Sequence, residues 1–253
     1  MSEKAPGIIT LTCDNMDKEH ICCAISDKKC QKGVAMKKAW MKDRMKEGLV
    51  FKRLDARGKV FIEYIPTENA WAPIEAPGYM YINCFWVSGG FKGQGIGTQL
   101  FNECEADSKG MNGIVVLSGK KKRPFLSDKD FFMKKGFEVC DHAEPYFELL
   151  VKRFNKDAPM PRFRDNVKKQ DLNCKEGVTV IYSSQCPFTD YYVEEVIHTA
   201  KAHGIKAEAI KLETREEAQN GPSPFTTHSV FYNGKFLTHE VLNKPRFEKL
   251  LNL

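Results

Sequence analysis

The sequence has nine cysteines, yet no two of them are separated by two residues. Structural zinc sites and dithiol redox sites depend on that spacing, so we predict neither a metal site nor a dithiol site. An odd number of cysteines in a chain of this length is typical of reduced thiols in the cytoplasm. Residues 1–6 also lack the apolar core of a signal peptide. We therefore expect a cytoplasmic protein.

The sequence also has no apolar run long enough to cross a membrane, so we predict no membrane-spanning helix. Apolar residues make up 42% of the chain and charged residues 28%, with a formal net charge of +6. The basic run at residues 120–123 has no interleaved aromatic residues, so we expect neither a nucleic-acid nor a membrane partner. This run is either a solvated loop or a patch that attracts a polyanionic ligand.

The most informative segment is rich in glycine. An apolar run of aromatic and β-branched residues at Tyr79–Val87 predicts a buried strand, and helical spacing of apolar residues begins near Thr98. Gly93, Gly95 and Gly97 lie between them. Glycine lets the backbone approach a ligand closely, and the N–H groups at a helix start attract an anion. The segment therefore predicts a phosphate-binding loop.

The glycine spacing distinguishes among phosphate-binding loops. It differs from the dinucleotide-binding pattern, and it lacks the lysine of a Walker loop between Gly97 and Thr98. The segment resembles the coenzyme A loop of GNAT-type N-acetyltransferases. Lys92 fills the place of the usual arginine or glutamine, and Gly95 and Gly97 fill the two small-residue places. The resemblance implies acetyl-CoA as the cofactor.

The same resemblance implies a set of coenzyme-binding residues. The loop would bind the pyrophosphate, and the backbone of the preceding strand would bond the pantetheine arm. The implied residues are Phe85, Val87, Lys92, Gly93, Gln94, Gly95, Ile96, Gly97, Thr98, Ser127 and Phe132.

The order of predicted elements resembles that family over residues 1–157. We predict an α/β fold with a mixed sheet and flanking helices. The predicted strands are residues 49–56, 59–66, 79–87, 113–118 and 145–154, and the predicted helices are residues 32–46, a helix from 98 onwards, and a helix from 128 that ends near 136.

A second pattern occupies residues 165–253, after a polar, proline-bearing linker at 155–164. Asn233-Gly234 indicates a tight hairpin. The order of elements resembles a small thioredoxin/glutaredoxin-like domain, and the pairing of the two patterns resembles the YoaP-like proteins. The predicted strands are residues 177–182, 206–212, 227–232 and 235–238, and the predicted helices run from 189 to about 204 and from 245 to 251.

Acetyl transfer to an amine needs a base, and the residue types leave several candidates. Many family members carry a tyrosine acid where Phe132 lies and a carboxylate base near Tyr81, so this chain departs from both. Glu63 shares a strand face with apolar neighbours, which would desolvate its carboxyl and raise its pKa. The alternative is an exposed glutamate on an edge strand. Tyr81 and Cys84 are further candidates, with Cys84 as an acyl carrier or a buried thiol.

Cys186 is a fourth catalytic candidate. It precedes a predicted helix, whose dipole would lower the pKa of the thiol. Thr189 stands where the resolving cysteine of such a fold would be, so the ordinary intramolecular disulfide between these two positions is excluded. A monothiol reaction with glutathione and a packing or recognition role both remain open. Pro224 is the expected cis-proline opposite Cys186.

Together these features predict an acetyl-CoA-dependent N-acetyltransferase that acts on a small amine or amino-acid-like acceptor. One alternative is a glutathione-type thiol oxidoreductase whose first domain is a coenzyme A-binding sensor. The other is a non-catalytic acyl-CoA-binding protein. The sequence leaves a homodimer open.

Overall fold

The computed structural model describes residues 7–172 and 175–253. In chain order the strands are β1 (Ile8–Thr10), β2 (Val50–Leu54), β3 (Val60–Pro66), β4 (Ile74–Glu75), β5 (Tyr79–Val87), β6 (Gly113–Gly119), β7 (Glu138–Ala143), β8 (Phe147–Arg153), β9 (Arg162–Phe163), β10 (Val178–Tyr182), β11 (Ala207–Lys211), β12 (His228–Tyr232) and β13 (Lys235–Thr238). The α-helices are α1 (Gln31–Met45), α2 (Ile96–Asp107), α3 (Lys129–Met133), α4 (Thr189–Ala202), α5 (Arg215–Gln219) and α6 (Lys244–Leu251).

Two main sheets form the framework. The first sheet has seven strands in the order β1-β2-β3-β5-β6-β8-β7, and the second has four in the order β11-β10-β12-β13. Only β5–β6 and β10–β11 are parallel pairs within these sheets. This mixed sheet with flanking helices confirms the predicted α/β fold of the N-terminal part.

The parallel pair β5–β6 opens at one end. Pairing runs from Tyr79 opposite Gly113 to Ile82 opposite Val116, and then stops, although β6 continues to pair with β8. On its other side β5 contains a bulge, because Glu63 lies opposite Cys84 while the next residue of β3 lies opposite Ile82. A bulge re-aims the side chains that follow it. The first sheet is therefore split open where β5 changes direction.

Each face of the first sheet has its own apolar core. On one face, α2 and α3 bury Leu100, Phe101 and Phe132 against β3 and β5. On the other face, a single cluster extends from Trp40 of α1 to Phe231 of β12. The second sheet thus shares a continuous core with the first, and the two parts of the chain pack together.

Helix α1 lies between the sheets, and one side of it is buried. The buried residues are Gly33, Lys37, Trp40 and Met41, which recur at the helical period. A Cβ atom added to Gly33 would lie 2.1 Å from the backbone oxygen of Pro187. Only glycine allows α1 to approach the turn before α4 this closely.

Other differences come from contacts that the sequence pattern does not show. Strand β7 and helix α5 were not predicted, and β9 pairs with β4 within the segment predicted as a linker, where Phe163 is 1% exposed. The cis peptide bond among the described residues precedes Pro145, so the prediction of a cis bond before Pro224 is wrong. No helix in residues 7–172 and 175–253 is both long and apolar enough to cross a membrane.

Buried histidines join the two sheets. The hydroxyl of Tyr146 lies 2.7 Å from Nδ1 of His239, whose Nε2 lies 2.8 Å from the backbone oxygen of Pro124. His228 Nδ1 lies 3.4 Å from the His239 backbone oxygen. Burial lowers the pKa of both imidazoles to about 4. Both rings are therefore neutral in the folded protein at neutral pH.

This burial predicts a loss of stability in mild acid. The unfolded chain protonates these imidazoles near pH 6.5, whereas the folded chain does so only near pH 4. Their contribution is therefore complete above pH 6.5 and is lost as the pH falls toward 4. We expect the free energy of urea unfolding to fall by about 2 kcal/mol per histidine between pH 7 and pH 5.

A matched pair of variants isolates these rings. His228→Gln/His239→Gln should flatten the pH dependence, and His198→Gln, at an exposed histidine, should leave it unchanged. An equal loss of stability in all three proteins would contradict the assignment.

Candidate active site

The glycine-rich loop presents a row of unpaired backbone N–H groups. Gly93 and Gly95 have φ angles of +78° and +76°, and α2 begins directly after Gly95. The first helical hydrogen bond is donated by Gln99 to the Gly95 oxygen at 3.1 Å. Within the described residues, none of the six N–H groups from residue 93 to residue 98 has an acceptor. This is the geometry of an anion-binding helix start.

Aromatic residues support the loop from behind. A Cβ atom on Gly97 would lie 3.4 Å from each of Phe85, Val87 and Phe131, so the loop rests on β5 and α3. Lys135 Nζ donates a 2.9 Å hydrogen bond to the Thr98 hydroxyl, which places a cation beside the loop. Lys135 was not among the predicted coenzyme-binding residues.

Phe132 lies elsewhere than the sequence predicted. Its ring is 0% exposed and packs against Phe85, Phe101 and Phe137. A side chain buried this completely contacts neither the loop surface nor the cavity described next. The prediction that Phe132 contacts the coenzyme is therefore corrected to a packing role behind β5.

A cavity of about 390 Å³ lies at the open end of the β5–β6 pair. Its walls come from both sheets and their connections. The predicted site residues that line it are Glu63, Cys84, Phe85, Ser127 and Cys186. Tyr81 lines only a neighbouring cavity of about 20 Å³ and is 7% exposed. Four predicted residues from the first part of the chain and one from the second are thus brought together.

A buried ion pair forms one wall of this cavity. Lys37 Nζ lies 2.5 Å from Glu63 Oε2 and donates a 2.6 Å hydrogen bond to the backbone oxygen of Gln185. Asn83 Nδ2 donates to the other oxygen of Glu63 at 3.2 Å. The bulge in β5 turns Asn83 toward this carboxylate. The arrangement links α1, β3, β5 and the turn before α4.

Glu63 is the desolvated carboxyl of the two alternatives that the sequence suggested. It is 1% exposed on a strand with neighbours on both sides, so the exposed edge-strand glutamate is excluded. The sequence did not indicate its charged partner, Lys37, which neutralises the carboxylate. Burial by itself lowers the pKa of Lys37, but the Glu63 carboxylate raises that pKa above its usual value. Lys37 therefore stays an ammonium.

Three thiols line the same cavity, and burial raises the pKa of each. The pKa of Cys23 is about 11 and that of Cys186 about 12, while that of Cys84 lies well above its usual value. The prediction that a helix dipole makes Cys186 a thiolate is therefore wrong. Helix α4 begins only at Thr189, and loss of water outweighs the dipole. Protonated thiols are poor nucleophiles, which argues against Cys84 as an acyl carrier.

The basic run at residues 120–123 takes part in local contacts. Lys120 and Lys122 lie 3.3 and 3.1 Å from the carboxylates of Glu144 and Asp128. The Arg123 guanidinium lies 3.7 Å from the centre of the Tyr146 ring. These contacts favour a structural role over attraction of a polyanion.

Several residues that line the cavity were not predicted from the sequence, and most of them come from the second half of the chain. Gln185, Phe188 and Phe225 line it, as do Lys59 and Arg246 at its exposed mouth. Only its spacing indicated that Lys37 is buried. It lies four residues after Gly33 and three before Trp40, which places the three on one side of α1.

Comparisons with known proteins identify the class. The family model for GNAT acetyltransferases matches residues 24–137, and the YoaP-like model matches residues 207–249. An uncharacterised N-acetyltransferase of Bacillus subtilis (strain 168), YoaP, is 47% identical over 246 residues, which cover 96% of this chain and 98% of that protein. The chain belongs to the GNAT family of acetyltransferases. Within that family it belongs with the YoaP-like N-acetyltransferases, which confirms the predicted enzyme class.

Solved structures of the same class are more distant. A GNAT acetyltransferase from Brucella melitensis in complex with acetyl-CoA is 18% identical, with a TM-score of 0.37, covering 61% of this chain and 91% of that one. The YhbS acetyltransferase from Escherichia coli in complex with coenzyme A is 13% identical, with a TM-score of 0.41, covering 65% and 93%. Acetyl-CoA, the predicted cofactor, is thus the ligand named for the first of them.

The raised pKa of Cys186 predicts slow alkylation. At pH 7 we expect iodoacetamide to modify Cys186 more slowly than the exposed Cys13, because the thiol rather than the thiolate predominates. Mass spectrometry of timed digests measures both rates in one sample, so Cys13 is the internal control. Preferential labelling of Cys186 would restore the thiolate interpretation.

Proposed function

We propose that this protein transfers the acetyl group of acetyl-CoA to a small amine inside the cavity between the two sheets. One observation carries the proposal: the stretch of β5 that no longer pairs with β6 lies between the bulge opposite Glu63 and the glycine loop, whose N–H groups are unpaired. A coenzyme bound along this stretch would reach from one to the other.

The coenzyme would lie along β5. Its pyrophosphate would bind the N–H groups of residues 93–98, with Lys92 and Lys135 nearby as cations. Beyond Ile82, the edge of β5 that faces β6 pairs with no strand of residues 7–172 and 175–253, so its backbone at Phe85 and Val87 can bond the pantetheine as a further strand would. A backbone N–H there would polarise the thioester carbonyl.

Glu63 is the proposed base. The acceptor arrives as an ammonium, and a buried carboxylate in the cavity wall can both attract it and take its proton. Asn83 and Lys37 hold the two carboxylate oxygens in place. The positive charge of Lys37 also favours loss of a proton from a second ammonium beside it. Positioning and this charge effect would together replace the tyrosine acid that the chain lacks.

The assignment of domains is part of the proposal. We assign residues 1–157 to an acetyltransferase domain and residues 165–253 to a thioredoxin-like domain. The second sheet supports this, since its β-α-β unit is parallel and is followed by an antiparallel hairpin and a final helix. The protonated Cys186 and the absence of a resolving cysteine at Thr189 argue against a thiol oxidoreductase. We infer that this domain serves as a wall of the acceptor site.

Gly95→Asp tests the coenzyme loop. The substitution puts a negative charge where the pyrophosphate would bind, so acetyl-CoA binding measured by calorimetry should be lost. The fold should survive, because no atom lies within 4 Å of the added Cβ and the left-handed backbone costs about 1–2 kcal/mol. Gly110→Asp is the matched control, since Gly110 also has a positive φ and open space. Equal affinity in the two variants would exclude the loop as the binding site.

Glu63→Gln tests the base. Turnover should fall about 100-fold or more, with acetyl-CoA affinity unchanged and the acidic limb of the pH–rate profile lost. Because the variant leaves Lys37 buried without its partner, Lys37→Met/Glu63→Gln is needed as a second protein that removes both charges. Near-normal turnover in the folded double variant would show that the carboxylate is not the base.

A further inference from the structure

Two cations at the mouth of the cavity have no partner. Lys59 and Arg246 both line the cavity and are exposed. Within the described residues, neither side chain takes part in an ion pair or a hydrogen bond, whereas Lys37 and Glu63 deeper inside neutralise each other. The cavity therefore has two uncompensated positive charges, and both lie at its entrance.

The space between the mouth and the ion pair is apolar. Phe61, Trp86, Phe188 and Phe225 are among its lining side chains. Lys59 Nζ lies 5.1 Å from the centre of the Phe188 ring, so the lysine of one sheet reaches over a residue of the other. A ligand that fits this space has an apolar middle.

The distance between the two charged regions limits the ligand further. Lys59 directly precedes β3, and Glu63 is the fourth residue of that strand, so the extended chain from Val60 to Glu63 alone separates the two regions by about 10 Å. An α-amino acid has its amine and its carboxylate on one carbon and is too short to occupy both regions. An extended tripeptide, at about 3.3–3.6 Å per residue, places its free ends about 10 Å apart.

We propose that the acceptor is a short apolar peptide, whose N-terminal amine lies at Glu63 and whose C-terminal carboxylate pairs with Lys59 and Arg246. This inference rests on the proposed function. The amine nitrogen attacks the acetyl carbon, and the carbon–sulfur bond breaks as the amide forms. The acceptor, which arrives as an ammonium, loses two protons: the first passes to Glu63 and then to solvent, and the second, released as the amide forms, is balanced by the proton that the thiolate of coenzyme A takes up from water.

The test compares ligands that differ only in the terminal charge. Ala-Val-Phe and Ala-Val-Phe-amide are assayed for thiol release from acetyl-CoA, and we expect kcat/KM to be about tenfold higher for the acid. Arg246→Gln and Lys59→Gln should each lower the value for the acid toward that of the amide, and should leave the amide unchanged. Lys249→Gln, on the same helix as Arg246 but outside the cavity lining, is the matched control. Phenylalanine should be a poorer acceptor than Ala-Val-Phe.

The possible outcomes distinguish a failure of this inference from a failure of the proposed function. Equal kcat/KM for acid and amide, or an equal effect of Arg246→Gln on both, would overturn the acceptor assignment while acetyl transfer stands. Weaker acetyl-CoA binding in Lys59→Gln or Arg246→Gln would assign the cations to the coenzyme and also overturn it. Calorimetry with N-acetyl-Ala-Val-Phe and its amide gives the same comparison without turnover. If calorimetry shows tighter binding of the acid while no amine is acetylated, the proposed function is refuted and the peptide-binding site is supported.

Discussion

The buried pair of Lys37 and Glu63 is the interaction on which the arrangement of this molecule depends. Each partner is almost fully buried, and Lys37 also bonds the backbone of Gln185 in the other half of the chain. Losing one partner of such a pair typically costs about 3–5 kcal/mol, because a charge is left in an apolar interior. The pair therefore fixes the distance between α1, the first sheet and the turn before α4.

Several features of the fold follow from that fixed distance. Gly33 has no side chain because Pro187 approaches α1 at that point, and the bulge in β5 brings Asn83 to the second oxygen of Glu63. The turn that contains Cys186 is held over the open end of β5 and β6, where it closes the cavity. The thiols there stay protonated because they are removed from water. The turn that contains Cys186 therefore forms a wall of the cavity and does not present a reactive thiolate.

Sequence patterns predicted the elements whose conformation is determined by neighbouring residues in the chain. The glycine loop, strand β5 and the helix after it could be predicted because glycine geometry and apolar spacing are written in consecutive residues. The role of Lys37 could not be predicted, because a lysine on a helix is usually solvated. Its burial depends on the opposite charge of Glu63, which is distant in the sequence. Cys186 was misjudged for the same reason. Its position before a helix is local, but the packing that places it in the cavity wall together with Cys23 and Lys37 of the first half is not.

The central claim is that the acetyl group is delivered into a cavity that both halves of the chain enclose. A crystal structure of the full-length protein with coenzyme A tests it most directly, by the position of the sulfur atom. The account predicts the pyrophosphate on the N–H groups of residues 93–98 and the sulfur at the open end of β5, facing Glu63 and the Cys186 turn. A coenzyme bound elsewhere, or a sulfur directed into solvent away from that turn, would contradict the account.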